Sequence, residues 1–302
     1  MSPAPRILLG ALIALVSFYI WRWYALERGR ARAAQTASVR LLLPSVGFVA
    51  NFFDTLGIGS FAPTTSIFKL LRLVPDERIP GTLNAGHAVP TVTQALIFIA
   101  VVSVDATTLV AMIGAAVLGA FLGAGVVARL PRRSIQVGMG VALLVAATLF
   151  VLGNVELIPS GGEALALRGP MLAVAVAANF LLGALMTLGV GLYAPCLILV
   201  SLLGVNPIAA FPIMMGSCAF LMPVAGLRFI VNRRYDARAA LGLALGGVPG
   251  VLIAAFLVKQ LPLLWLRWLV VFVVLYAAVT MLRAAAQGKP GPGPREPIRD
   301  PL

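Results

Sequence analysis

The nine residues Thr55-Leu56-Gly57-Ile58-Gly59-Ser60-Phe61-Ala62-Pro63 return 132 positions later as Thr187-Leu188-Gly189-Val190-Gly191-Leu192-Tyr193-Ala194-Pro195. Six of the nine positions are identical, and Ile58/Val190 and Phe61/Tyr193 are conservative. The same offset pairs Phe48 with Phe180, Leu70-Leu71 with Leu202-Leu203, Pro75 with Pro207 and Pro80 with Pro212. The chain therefore reads as a duplication in which each copy carries an apolar segment interrupted by glycine and proline. Glycine opens backbone conformations closed to other residues and proline removes a donor from the helical ladder, so each segment is predicted to break part-way along. Paired broken segments in a duplicated, very apolar chain are the pattern of a membrane carrier whose site lies where the repeats meet.

The membrane follows from composition. Of 302 residues, 61% are apolar and 11% charged, where a soluble domain has about a quarter charged. Apolar runs reach the roughly 18 to 20 residues that cross a hydrocarbon core as a helix, and the strict alternation of barrel strands is missing. The net charge of +13 does not imply a nucleic-acid partner, because the basic residues form short clusters between apolar spans, as the positive-inside rule requires. Cys196 and Cys218 lie in apolar stretches without CxxC spacing or a histidine cluster, which reads as two small buried hydrophobes. No metal site or cofactor is expected, and no phosphate-binding Gly-Lys-Ser/Thr loop that would mark a nucleotide-driven pump occurs. Arg6 followed by Ile7 to Trp21 resembles a signal-peptide core, but Arg22-Trp23-Tyr24 follows in place of a small-residue cleavage site; an uncleaved anchor helix is expected.

Charge also predicts the threading. Five basic groups, running from Arg22 to Arg40, Lys69 to Arg78, Arg129 to Arg133, Arg228 to Arg238 and Arg283 to Arg299, hold 19 of the 23 lysines and arginines. All five can be cytoplasmic only if residues 41–68 and 171–203 each enter and leave on one face. At 28 and 33 residues, these segments are short for two full spans at about 1.5 Å per residue, so each is predicted to be a broken or re-entrant helix pair. The first starts and ends inside, the second outside. The expected fold is an all-α, polytopic membrane helical bundle with two inverted-topology repeats. Its parts are an anchor helix and basic loop (1–40), repeat one (41–153), an external loop (154–170), repeat two (171–282) and a disordered cytoplasmic tail (283–302). The N-terminus is expected outside, the C-terminus in the cytoplasm.

Half-helices that end within a membrane expose amide N–H groups with partial positive charge, which suits an anion. The candidate substrate-binding residues lie around the breaks: Thr55, Gly57, Gly59, Ser60, Thr64 and Thr65 in repeat one; Thr187, Gly189, Gly191 and Tyr193 in repeat two. Asn84 and Ser217 could line the cavity from the helices that follow. Small hydroxyl residues and glycine also mediate plain helix packing. Asp54 is the one acidic residue inside an apolar segment, with Met186 at the equivalent place in repeat two. An intramembrane carboxylate costs a few kcal/mol or more, and it can serve by exchanging a proton, holding a cation, capping the next half-helix or pairing with a base such as Lys69. His87, the sole histidine, fits proton coupling by its titration range or a plain hydrogen bond to a neighbouring helix.

At these residues the chain resembles the sulfite exporter TauE/SafE family of membrane permeases. The likeness rests on Gly57-Ile58-Gly59-Ser60 and Gly189-Val190-Gly191, each followed by a proline, and on Pro80-Gly81-Thr82; it covers roughly 41–282. It implies transport of a small sulfur-containing or related organic anion, such as sulfite or a sulfonate, across the bacterial inner membrane. Two departures stand out. The family's run of three glycines appears here as Gly59-Ser60-Phe61, with Leu192-Tyr193 in repeat two, and repeat two has Pro212-Ile213-Met214 in place of a Gly-Thr pair. Both pockets are thus bulkier than the pattern, which argues against sulfite itself.

The leading expectation is a secondary transporter moving a small anion by alternating access, driven by its own gradient or by protons through Asp54. A channel would need a continuous polar pore. An enzyme would need a nucleophile, paired carboxylates or a metal cluster, and one aspartate with a distant histidine makes none of these. An accessory subunit would have no evident use for duplicated broken helices. The partners expected are the lipid bilayer and a small anionic solute.

Overall fold

The computed structural model describes residues 3–28, 37–127, 132–155, 157, 162–186, 192–260 and 263–287. Among them are eleven α-helices and no strand beyond an isolated bridge between Ala164 and Val205. In chain order they are α1 (Pro3–Glu27), α2 (Ala37–Thr55), α3 (Phe61–Leu70), α4 (Ile79–Val101), α5 (Ala106–Val127), α6 (Arg132–Asn154), α7 (Gly169–Met186), α8 (Tyr193–Leu202), α9 (Pro207–Val231), α10 (Ala237–Gln260) and α11 (Leu263–Ala286). Five of them, within α1, α4, α7, α9 and α10, are long and apolar enough to cross a bilayer. The protein is an all-α, polytopic membrane bundle. α4 and α9 are mostly buried and form its centre, while α1 turns most of its surface outward.

The first break falls where the sequence places it. α2 ends at Thr55, and Gly57 and Gly59 adopt φ of +96° and +88°. This left-handed region is strained for any residue with a Cβ, which explains both glycines. The second break, including Thr187, Gly189 and Gly191, lies outside the described residues, as does the tail from 288 on.

The helices that follow the two breaks match closely. α3 and α8 have the same length and bounds 132 residues apart. Ser60 and Leu192 precede them at φ/ψ of −84°/−26° and −83°/−28°. Each ends on a left-handed residue, Arg72 (φ +48°) or Gly204 (φ +86°). Each is closed by a bond back into its last turn, Leu73 N–H to Phe68 O at 3.0 Å and Val205 N–H to Val200 O at 3.2 Å, the αL closure that satisfies terminal carbonyls.

Close approaches fix how the helices run. Leu43, Pro44 and Phe48 of α2 abut Gly242, Gly246 and Gly250 of α10; the numbers rise together, so the pair is parallel. α5 and α7 are parallel as well: the Asn179 amide donates to Met112 O at 2.7 Å, and Gly183 abuts Ala116. α4 and α10 are parallel through Gly86 on Ala240 and Pro90 on Gly247. α4 and α9 are antiparallel, for Gly81 meets Phe229, Ala85 meets Gly226, and Phe98 stacks on Phe211 with ring centroids 5.3 Å apart. Glycine lets these backbones approach closely, which is how membrane helices gain contact without a hydrophobic drive between them.

One end of the bundle gathers the basic stretches. There the Trp23 indole donates to the Tyr235 hydroxyl at 3.0 Å, Asp236 N–H donates to Thr82 Oγ1 at 2.9 Å, the Arg228 guanidinium lies over the Phe121 ring and Gly140 abuts Leu282. The opposite end gathers residues 102–105, 162–168 and 204–206, joined by backbone hydrogen bonds.

Candidate functional site

A polar cluster lies at the first break, where α2, α3, α4 and the start of α8 meet. Asn51, Asp54, Thr55, Ser60, Thr64, His87, Thr91 and Gln94 are all buried, and so is Tyr193. Such groups are tolerated in an apolar interior only when hydrogen-bonded, and here they form two connected networks.

The first joins three helices through His87. The Asn51 amide donates to Gly47 O at 2.7 Å and faces His87 Nδ1 at 2.9 Å, and His87 Nε2 faces Thr64 Oγ1 at 3.1 Å. His87 Nδ1 also lies 3.2 Å from Asn51 Oδ1, so both ends of the Asn51 amide face the ring. His87 thus pins α4 to α2 and α3 with both ring nitrogens engaged. The plain hydrogen bond, one of its two expected roles, is what the structure displays.

The second network holds Asp54. The Gln94 side-chain nitrogen donates to Asp54 Oδ2 at 2.9 Å and to Thr55 Oγ1 at 3.0 Å, while Gln94 Oε1 accepts from the Tyr193 hydroxyl at 2.8 Å. Ser60 presents its hydroxyl and backbone N–H to the same carboxylate, and the Thr91 hydroxyl lies beside the Tyr193 phenol. Thr55 Oγ1 donates to Asn51 O at 2.7 Å and ties the two networks together. Everything around Asp54 is a hydrogen-bond donor, and among the described residues no lysine or arginine pairs with it. These bonds tie the carboxylate to α4 through Gln94 and to the start of α3 through Ser60. Among the described residues no cluster of metal-ligating side chains occurs.

Of the residues singled out by sequence, the structure brings together Asp54, Thr55, Ser60, Thr64, His87 and Tyr193. Gly57 and Gly59 shape the turn between them. Thr65 is half-buried one residue along from Thr64. Asn84 stands apart, its amide bonded to Pro80 O at 2.9 Å. Ser217 sits on the second half's side, donating to Ile213 O at 2.8 Å and 3.4 Å from the Asn179 amide. Nearby, the Cys218 thiol meets the Met186 thioether at 3.5 Å, so the position equivalent to Asp54 faces sulfur.

Asn51, Thr91 and Gln94 were missed by the sequence reading, although a signal existed. Residues 84, 87, 91 and 94 recur at steps of three and four on α4 and draw a polar stripe down one face of an apolar helix. Asn51 lies one turn before Asp54 and Thr55 on α2.

A buried carboxylate at a helix break, linked through Gln94 to the first residue of α8, lies inside a bundle with five helices long and apolar enough to cross a bilayer. The model of the sulfite exporter TauE/SafE family matches residues 2–150 and 171–301, and the chain belongs to that family. No curated protein and no solved structure matches it. The match includes α1, which the resemblance read from the motifs left outside. Family membership makes this a membrane transport protein whose relatives handle sulfur-containing anions.

Proposed function

We propose that the chain is a secondary transporter that moves a small anion, sulfur-containing or organic, by alternating access between two inverted halves, residues 41–153 and 171–282, with one proton exchanged at Asp54. The observation that carries the reading is the Asp54–Gln94–Tyr193 bridge, which links the first break to the helix after the second. The inverted arrangement draws support from helix direction. α4 and α9 are equivalent by the 132-residue offset and run antiparallel, and exchanging the halves maps the α2–α10 pair onto α7–α5, as a two-fold axis in the membrane plane requires. Because α2 and α4 both parallel α10, the chain returns to its starting face through α3, which supports a re-entrant first pair. With the basic end facing the cytoplasm, the N-terminus lies outside and the C-terminus inside, as expected in a bacterial inner membrane.

The chemistry follows from Coulomb's law. An anion about 5 Å from an ionised Asp54 would be repelled by roughly 3 kcal/mol at an effective dielectric constant near 20. A neutral Asp54 removes that barrier and frees the Ser60 donors for the anion, so solute and proton bind together. The test uses proteoliposomes with an imposed pH gradient and sulfite, thiosulfate, a sulfonate or a short carboxylate as solute, chosen by which one raises the melting temperature of the purified protein. Asp54→Asn should retain solute binding and lose gradient-driven uptake. Uptake that still follows the pH gradient in Asp54→Asn would reject the proton role.

A further inference from the structure

The connector between α6 and α7 is bonded to both halves at once. On the first half, Asp105 N–H donates to Leu165 O at 2.8 Å, and Leu167 N–H donates to Thr108 Oγ1 at 3.0 Å. The Arg168 guanidinium grips the Asp105 carboxylate with both nitrogens, at 2.8 and 3.2 Å. On the second half, Asn206 N–H donates to Ala164 O at 2.8 Å, Ala164 bridges to Val205, and Gly162 lies against the Gly204 carbonyl, where a Cβ would not fit. Residues 162–168 thus clamp the α4–α5 turn to the α8–α9 turn. Beneath the clamp is an apolar cavity of about 260 Å³ lined by Ile97, Val101, Leu165, Ile208 and Ala255 among others. The cavity's inner wall includes Phe98, stacked on Phe211 across the α4–α9 seam and almost fully buried. Phe98 stands one turn from Gln94 on α4.

We propose that residues 162–168 are a latch and the Phe98–Phe211 pair a plug, together forming the gate that shuts the polar cluster off from the non-basic end of the bundle. The placement favours a gate over a mere brace. A segment that only connected α6 to α7 would have no reason to bond turns from both halves, and those turns must separate if the halves rock apart. The latch has a releasable outer part, the exposed Arg168–Asp105 ion pair and the backbone bonds of Ala164 and Leu165, and a buried anchor where Leu167 N–H donates to Thr108 Oγ1. The plug is apolar and stacked, so it blocks a hydrated anion until α4 and α9 part. This inference rests on the alternating-access reading but not on the identity of the solute.

The buried thiols Cys196, within a turn of Tyr193 on α8, and Cys218, two turns beyond Phe211 on α9, serve as native reporters. A membrane-impermeant methanethiosulfonate reagent is added separately to right-side-out and inside-out vesicles carrying the full chain, and modification of each cysteine is followed by mass spectrometry. The wild-type thiols should react slowly from the side bearing the latch. Arg168→Ala, at an exposed position that leaves the core intact, should raise the rate from that side about two- to five-fold, the value of an exposed ion pair. Phe98→Ala should raise it further, with little change from the opposite side. Rates unchanged in both variants, or wild-type thiols already reacting freely from the latch side, would overturn the gate. Neither outcome depends on solute uptake, so the gate and the anion reading fail separately.

Discussion

Replacing Gln94 with leucine tests whether the bridge between the two breaks holds them together or merely fills space. The substitution keeps most of the volume and removes three hydrogen bonds: to the Asp54 carboxylate, to Thr55 Oγ1 and from the Tyr193 hydroxyl. A bond to a charged group contributes about 1.5–3 kcal/mol and a neutral one about 0.5–1.5, so the sum is roughly 2.5–6 kcal/mol. Asp54 keeps Ser60 and Tyr193 keeps Thr91, which places the expected loss near the lower half of that range, about 3 kcal/mol. Tyr193→Phe removes the bond to Gln94 and the contact with Thr91 and should cost about 1–3 kcal/mol; phenylalanine is also the residue at the equivalent position, Phe61. In the double variant the Tyr193 bond can be lost only once, so the combined loss should fall short of the sum by about 1 kcal/mol. Reversible unfolding in mixed detergent micelles, titrated with dodecyl sulfate, measures all three. Strict additivity, or a loss below about 0.5 kcal/mol in Gln94→Leu, would refute the bridge.

Three further outcomes follow from the structure. Gly246→Ala and Gly119→Ala should each destabilise by about 1–3 kcal/mol or more in the same titration, because a Cβ there would overlap the Pro44 or Phe180 carbonyl, whereas Gly114→Ala, with open space around it, should be close to neutral. The Asp105 carboxyl is pushed up by burial, the largest single effect, but the Thr108 N–H, the Thr108 hydroxyl and Arg168 together outweigh it and hold the group below the ordinary carboxylate range. Its contribution is therefore present above the unfolded value near 4 and fades as pH falls through the lower folded value, so the melting-temperature gap between wild type and Arg168→Ala should close on acidification; a gap that widened would reject the ion pair. Single cysteines at Arg40 and Asp76 should label from the same face of the membrane, and labelling from opposite faces would rule out the re-entrant first pair.

The class was legible in the sequence because it rests on long-range averages: apolar runs and basic clusters survive any local irregularity. The break at Gly57 and Gly59 was legible as well, since a positive φ demands glycine and the sequence supplies it twice. The cluster was only half legible. Asp54, Thr55, Ser60 and Thr64 lie within ten residues of one another around the break, so proximity in the chain exposed them. Gln94 and Asn51 enter through the packing of α4 on α2, and no local signal says which turn of one helix meets which turn of another. Their polar periodicity shows that a face is special without saying what it faces. The clamp over 162–168 was not legible at all, because it consists largely of backbone bonds that any sequence can make.

The offset that relates the halves also shows how they have diverged. Asn51, Asp54, Ser60, Thr64, His87 and Gln94 correspond to Gly183, Met186, Leu192, Cys196, Ala219 and Gly226. Of the first half's network residues only Thr55 keeps its hydroxyl in the second half, as Thr187. Two of the replacements are glycines at which helices touch: Gly183 abuts Ala116, and Gly226 abuts Asn84 and Ala85. Close packing therefore occupies, in the second half, positions that the first half gives to polar side chains. The backbone entering α3 and α8 stayed alike while the side chains around it diverged, and of the equivalent positions 54 and 186 only the first is a titratable acid. On the proposed carrier reading one carboxylate serves both halves, so Asp54 exchanges no more than one proton per cycle. The hydrogen bond from Tyr193 to Gln94 is then a direct contact between the Asp54 network and α8.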